Sequence, residues 1–466
     1  MKKILNSSAH RFFLITALFF GLLIIVLTPP FQVPDEGHHL YRAYHIAEGN
    51  SFGEQTADAR FGGNLPTSLI AFERSWRYLR YNYEAKTNLK KLSPLALTSL
   101  QSQKKEFADF PNVAYYVPIP YLAQATFLKI GIWLETAPLL LLFGTRVFGF
   151  LFWVMLLFYA IKIIPFHKNT FTLLALLPSS LFINSGMTAD SFTYGVCYFL
   201  FAILLRLIYT NTKANYKWWA LLLICSLSVI LSKVVYLPLL LLSLLIPKKN
   251  FVKKWSKPIF VTSLIIINLI AVFILYSNLK NEFISYENYN PNYRTDVQLN
   301  EGVNPNEQLA FILEHPTQFS KIALKSHLAY APASVVHCIG KFGWEKNYLP
   351  FSIIGLLLLT ITLSSIFERN FSYKISKKQR LIFLFSTLSI VVLFTLVIYM
   401  QWSPVGNAEI LSLGGRYYLP ILPLLFFSLK TTKMTINQQY LTALVRSVVL
   451  GALTIAIICL IMRYYI

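Results

Sequence analysis

The sequence predicts an all-α polytopic membrane protein with about eleven transmembrane helices and two large extracytoplasmic loops. Three observations carry that prediction. Of the 466 residues, 55% are hydrophobic and only 13% are charged, whereas soluble domains carry roughly a quarter charged residues. The apolar residues gather in runs of the length that crosses a hydrocarbon core of about 30 Å. The net charge of +22 lies in short basic runs between those segments, which is the pattern of cytoplasmic membrane loops. That placement argues against nucleic acid as a partner and for the lipid bilayer.

The chain opens Met1-Lys2-Lys3, followed by an apolar run at 12–27 and then Thr28-Pro29-Pro30-Phe31. No small-residue cleavage site follows the run, so it reads as an uncleaved first helix with its amino end in the cytoplasm. A polar stretch continues to about Phe110. The next apolar run, 113–134, contains Pro118, Pro120, Gln124 and Lys129 and is followed by Glu135. If it crossed, the most basic loop, 248–257, would move outside, so 113–134 is expected to lie along the outer surface.

Further apolar runs follow at 138–161, 170–187, 191–210, 218–231, 234–246, 258–276, 350–366, 381–400, 417–429 and 441–463. The pair 218–231 and 234–246 is short for a crossing and reads as two abbreviated helices turning at Ser232-Lys233. The resulting organisation is a module over 1–276 with a first outer loop at 29–137, a second outer loop at 277–349, and C-terminal transmembrane helices over 350–466. Cys197, Cys225, Cys338 and Cys459 form neither a disulfide framework nor a zinc spacing. No fixed-period repeat is present.

Chemistry concentrates just outside the first helix, in Pro34-Asp35-Glu36-Gly37-His38-His39-Leu40-Tyr41-Arg42. Ionisable groups packed this densely at a membrane surface are costly and usually functional. The bland reading makes Asp35 a helix cap and Glu36 a first-turn acid. The functional reading makes one of these two carboxylates a general base for a hydroxyl acceptor, which is a weak nucleophile at neutral pH. His38, His39 and Glu36 are also compatible with a divalent ion, but ligands so close in sequence are a weak metal signal, and no metal ligands are assigned.

Between Arg74 and Lys91, cations including Arg74 and Arg77 interleave with Trp76, Tyr78, Tyr81 and Tyr83. This suits an interfacial helix contacting anionic headgroups or phosphates. Tyr115 and Tyr116 open the surface run. Asp190 returns a carboxylate to the outer side after the third helix. Lys233 has no acid near it in sequence, which suits a lipid phosphate, although a lysine there is often only snorkelling. Gly414-Gly415-Arg416-Tyr417 places a guanidinium after two glycines, allowing close approach to a phosphate; the plainer alternative is an interfacial Arg-Tyr belt. Together Asp35 and Asp190 suit a hydroxyl, while Lys233 and Arg416 suit a departing phosphate.

The segment from Pro34 to Gly49 resembles the opening signature of a bacterial membrane family, "domain of unknown function 2142". The segments 117–121 (Val-Pro-Ile-Pro-Tyr), 177–190, Phe342-Gly343-Trp344-Glu345 and 414–423 fit the same family in the same order, with departures at Gly37 and Gly414. That family resembles the GT-C superfamily of polytopic glycosyltransferases, and the layout is similar to protein O-mannosyltransferases and lipid A aminoarabinose transferases. The resemblance implies a GT-C-like fold and an inverting transferase; no cofactor is required by this reading, which is also compatible with a divalent metal. It also implies a polyprenyl-phosphate sugar donor and an extracytoplasmic glycan, glycolipid or cell-wall polymer as acceptor. The active site would face outward from the bacterial cytoplasmic membrane. Asp35 is then the expected base, Asp190 the second acid and Lys233 a donor-phosphate lysine. A transporter or flippase of lipid-linked sugars is the rival class, disfavoured because the charges sit at helix ends rather than inside the spans.

Overall fold

The computed structural model of the chain describes residues 7–253, 256–277, 283–344, 346–368, 373–429 and 436–466. Lys2, Lys3, Lys254, Arg369, Lys430 and Lys433, which belong to the basic runs flanking the apolar segments, lie outside the described residues, as does Glu345.

Helix α1 (Ala9–Leu27) is apolar along its length and stops at Thr28, before Pro29 and Pro30. Prolines there lack the donors that another helical turn requires. After the 29–35 turn comes α2 (Glu36–Ala47), followed by strands β1 (Glu54–Gln55) and β2 (Phe61–Pro66), helix α3 (Thr67–Ser75) and strand β3 (Lys105–Asp109). The strands form one antiparallel sheet in the order β1-β2-β3, with Gly62 opposite Asp109 and Pro66 opposite Lys105. A side chain on Gly62 would run into the Ala108 carbonyl, so glycine permits this pairing. The sheet corrects the all-α expectation. Its strands are short, β2 carries Gly62 and Gly63, and none has the β-branched alternation by which a strand announces itself in sequence.

The sheet joins the 29–137 segment to the 283–303 segment. Arg60 pairs with Asp109 at 2.6 Å, the Tyr289 hydroxyl donates to Asp109 at 2.6 Å, and Arg60 stacks on the Tyr293 ring at 3.5 Å. Helix α4 (Leu122–Trp133) follows. At 12 residues it is about 18 Å long, too short for a core of about 30 Å. It packs against α2 and against α5 (Pro138–Ile163) instead.

Besides the four-residue turns Leu92–Leu95 and Pro111–Ala114, the remaining helices are α6 (Lys168–Ala175), α7 (Pro178–Asn184), α8 (Asp190–Tyr209), α9 (Tyr216–Ser232), α10 (Ser256–Ser277), α11 (Pro305–Glu314), α12 (Pro316–Gly340), α13 (Phe351–Phe367), α14 (Lys377–Trp402), α15 (Leu422–Ser428) and α16 (Gln438–Tyr464). Prolines occupy the first turns of α5, α7, α11 and α12, where a missing N–H costs nothing. A reciprocal Ser376–Gln379 capping box starts α14.

Among the described residues, six helices are long and apolar enough to cross a membrane: α1, α5, α8, α10, α14 and α16. Helices α9 and α13 and the 3-10 segment Val234–Leu245 are apolar but shorter. Of the five other expected spans, α9 and α13 are unbroken apolar helices of 17 residues, and the remaining three are interrupted at prolines. Run 170–187 divides into α6 and α7 at Leu176–Leu177, before Pro178. Run 417–429 divides into a 3-10 segment, Gly415–Ile421, and α15, with Pro420 and Pro423 at the division. Run 234–246 carries Pro238 inside its 3-10 segment. A helix running unbroken through any of these prolines would lack one of its hydrogen bonds. The expected second loop, 277–349, is itself largely helical, with α12 alone spanning 25 residues.

Helix α8 is the hub. In its most apolar window 89% of residues are buried, against 22% for α10, so α10 offers its surface to lipid while α8 is covered by protein. Helices α1, α5, α9 and the C-terminal helices share one continuous apolar core with α8. The site is assembled around the amino end of that hub.

Candidate active site

Asp35 ends the 29–35 turn with a left-handed backbone, φ 64° and ψ 4°. Only glycine, asparagine and aspartate visit this region readily. Asp35 occupies the capping position of α2, but its side chain makes no capping hydrogen bond. The carboxylate instead meets Arg416, whose Nη2 donates to Oδ2 at 2.5 Å across 381 positions of sequence. The bland reading of Asp35 as a helix cap is therefore set aside.

Asp190 is the first residue of α8, and Lys233 sits where α9 gives way to the Val234–Leu245 segment. Lys233 Nζ donates to Asp190 Oδ1 at 2.6 Å. The sequence suggested no partner acid for Lys233; it is supplied from 43 positions away, which corrects that expectation. The Tyr194 hydroxyl lies 3.2 Å from the other Asp190 oxygen and 2.9 Å from the Arg416 carbonyl, tying the two ion pairs together. The Tyr417 ring completes the group, 5.3 Å from the Arg416 guanidinium and 5.5 Å from the Lys233 ammonium. Asp35, Asp190, Lys233, Arg416 and Tyr417 thus converge in one cluster, and Arg416 keeps a quarter of its side chain exposed.

Close approach of the Gly415–Ile421 segment to α12 explains Gly415. A Cβ there would collide with the Ser334 carbonyl and the His337 side chain. Packing, rather than access for a ligand, accounts for that glycine.

Burial by itself opposes ionisation of Asp35, but the Arg416 guanidinium, together with His39 and His38 beside it, outweighs burial and holds the carboxyl below the usual carboxylate range. Burial pulls the His39 imidazole down to about 4, against the raising pull of Asp35 and Asp190, so His39 is neutral at neutral pH. One ring nitrogen of His39 is hydrogen-bonded to the Tyr121 hydroxyl at 2.7 Å. The stability consequence has a definite sign. Between pH 6.5 and about 4 the unfolded chain binds a proton at this histidine and the folded chain does not, so acidification through that window destabilises the fold. The melting temperature is expected to fall between pH 7 and pH 5, and to fall less in His39→Gln. An identical fall in the variant would remove His39 as a source.

Several residues expected at the site have other work. Glu36 is fully buried, with both oxygens on Arg146 of α5 at 2.7 Å, and it also accepts from the Met187 amide. It is a structural acid, which corrects its candidacy as the base. His38 bonds Asn112 at 2.6 Å, so His38, His39 and Glu36 turn to different partners and do not converge as metal ligands. Arg42 is fully buried, and its guanidinium donates to the carbonyls of Tyr116, Asn50 and Ser51. It supports Tyr116 instead of meeting a substrate.

The Arg74–Lys91 stretch is not one interfacial helix. Arg77 and Arg80 close on the buried Glu73, whose approach needs the missing side chain of Gly37, and Arg74 lies 4.0 Å from Glu106 at the sheet. Tyr115 packs edge-on against Phe61 in the sheet cluster, 4.6 Å between centroids. Tyr116 packs near His39 and lies within electrostatic range of Lys233 and Asp190, so it stays with the site.

Sequence reasoning passed over Arg146 and Tyr194. A lone arginine in the apolar run 138–161 was a signal for a buried partner. Tyr194 stands four residues after Asp190, hence on the same helical face.

No curated protein and no solved structure matches the chain significantly. A family described as "Predicted membrane protein (DUF2142)" matches residues 18–425, which include Asp35, Asp190, Lys233 and Arg416. The chain belongs to this family of membrane proteins.

Proposed function

We propose that the protein is an inverting glycosyltransferase of the GT-C type, acting at the outer face of the bacterial cytoplasmic membrane. Its donor is a polyprenyl-phosphate sugar and its acceptor an extracytoplasmic glycan, glycolipid or cell-wall polymer. The observation that carries the reading is the pair of carboxylate–cation contacts, Asp35–Arg416 and Asp190–Lys233, drawn from four distant segments into one cluster beside apolar spans. The basic runs at the other ends of the spans support an amino terminus in the cytoplasm.

The chemistry follows from the pairs. A donor phosphate competes for Arg416 and Lys233, and as it takes them Asp35 loses the charge that holds it ionised, so its basicity rises. The acceptor hydroxyl oxygen then attacks the anomeric carbon from the face opposite the phosphate, inverting it. The bond from that carbon to the phosphate oxygen breaks, and its electron pair stays on the phosphate, where the two cations neutralise it. The hydroxyl proton passes to Asp35. Asp190 holds Lys233, and no cofactor enters.

The test is sugar transfer from radiolabelled polyprenyl-phosphate sugars to envelope glycan fractions by purified protein in detergent. Transfer that is absent from the Asp35→Asn protein supports the reading. No transfer from any such donor would count against it. The division of run 170–187 into two short buried helices favours one second reading, a transporter of lipid-linked sugars, since broken helices often line transport sites. Detergent separates the two, because transport needs two compartments and transfer does not.

A further inference from the structure

We propose that the groove between strand β3 and the carboxyl ends of α2 and α4 holds one anionic phospholipid, whose phosphate meets Lys129 and whose glycerol and upper acyl carbons cover Ile130 and Trp133. The lipid belongs to the leaflet on the Asp35 side of the membrane. Such a site is independent of sugar transfer.

The groove measures about 800 Å³ and is lined by Ala47, Glu48, Lys105, Lys129, Ile130 and Trp133, among others. Pockets that take small ligands run from roughly 300 to 1,000 Å³. Its depth in the membrane follows from α5. That helix has 26 residues and is about 39 Å long, more than a core of about 30 Å, so its first turn stands at the headgroups. Helix α4 runs back alongside it: a Cβ on Gly144 would meet the Phe127 ring, and one on Gly131 the Leu141 side chain. Phe127 also packs on Phe148, with centroids 4.8 Å apart. Phe148 is exposed on α5 together with Leu140 and Leu151, the side that such a span offers to lipid. This pairing sets Trp133 level with the start of α5, at headgroup depth, and Lys129 about one helical turn deeper.

Trp133 is 81% exposed and Ile130 52%, and water leaves both uncovered. A tryptophan at headgroup depth buries its ring against lipid carbon while its N–H stays in the polar layer. The charge of the groove selects an anionic headgroup. Of its three ionisable side chains, Lys105 and Glu48 cancel, since Lys105 donates to Glu48 at 2.5 Å. Lys129 makes no ion pair or side-chain hydrogen bond among the described residues. Glu135, the nearest acid in sequence, turns instead to the amide and hydroxyl of Ser102. One uncompensated ammonium remains, beside exposed apolar surface, at the depth where a lysine reaches for lipid phosphate. A headgroup with a single negative charge balances it, whereas a zwitterionic headgroup brings its own cation.

Quenching of fluorescence by brominated lipids tests the site, with the full chain in phosphatidylcholine nanodiscs at low salt. The chain has eight tryptophans, so the signal of Trp133 is taken as the difference between wild type and Trp133→Phe. The probes are phosphatidylglycerol and phosphatidylcholine brominated on their upper acyl carbons. Quenching of Trp133 should reach its midpoint at about a fivefold lower mole fraction of the phosphatidylglycerol, the scale of one lysine at a lipid surface. The preference should vanish in Lys129→Gln and at high salt. It should persist in Lys162→Gln, a lysine at the opposite end of α5. Melting curves verify that each variant is folded. Equal quenching by the two lipids, a preference that survives in Lys129→Gln, or no quenching of Trp133 by either lipid overturns the site. Trp133 emission that ignores both lipids but changes with polygalacturonate would also overturn it, and would assign the groove to an acidic saccharide. No sugar donor enters the measurement, so its failure leaves the transferase reading untouched.

Discussion

Replacing Arg146 by methionine is expected to destabilise the protein by about 3–5 kcal/mol, because it leaves the Glu36 carboxylate buried without its cation. Arg146 and Glu36 are both fully buried, in two parallel 2.7 Å contacts. Arg146 also donates to the carbonyls of Ile25 and Thr28, which the end of α1 leaves without helical partners, and to that of Pro29 in the following turn. One side chain thus closes the end of α1 and fixes the first turn of α2. The double variant Glu36→Leu/Arg146→Met is expected to recover part of the loss, since an apolar pair avoids the desolvation that a lone charge suffers. Thermal unfolding of the purified variants measures this. A single variant that melts with the wild type would show that the pair contributes nothing. Because Asp35 immediately precedes Glu36, the single variant should also lower transfer, through the turn rather than through the chemistry.

Asp35→Asn is expected to lower transfer by about a hundred- to ten-thousand-fold, the range attributed to a positioned general base. Asparagine is the informative replacement because it tolerates the left-handed backbone of this position, and its amide oxygen still accepts from Arg416. Melting behaviour close to wild type would separate lost chemistry from lost folding. Alanine would confound the two by straining the turn. Undiminished transfer, with the requirement for an acid found at Asp190 instead, would reassign the base. Glu36 is not a competitor for the role, since Arg146 occupies both of its oxygens.

The residues that make up the cluster were legible one at a time. Asp35, Asp190, Lys233 and Arg416 each stood out as an ionisable group at the end of an apolar run, where solvation cost singles such groups out. Their pairing was not legible. Hydrophobic periodicity reports which face of a segment is buried, and carries no information on which distant segment lies opposite. For that reason Lys233 looked unpartnered, and Glu36 looked as reactive as Asp35. The Arg74–Lys91 stretch misled for a related reason: two of its cations, Arg77 and Arg80, close on Glu73, which lies just before the stretch and was not weighed with it.

By itself the sequence determined the membrane character of the chain, the end of the first helix at Thr28-Pro29-Pro30, and the residue types available to a reacting site. These depend on composition and on local backbone chemistry. Only the tertiary structure decided that 170–187 and 417–429 are interrupted rather than continuous, although the prolines were in view, because a kinked helix and a broken one share the same local signal. It also decided between the two neighbouring acids. Asp35 and Glu36 are adjacent in sequence, but the left-handed backbone at Asp35 separates their side chains, one to the partly exposed Arg416 and one to the sealed Arg146.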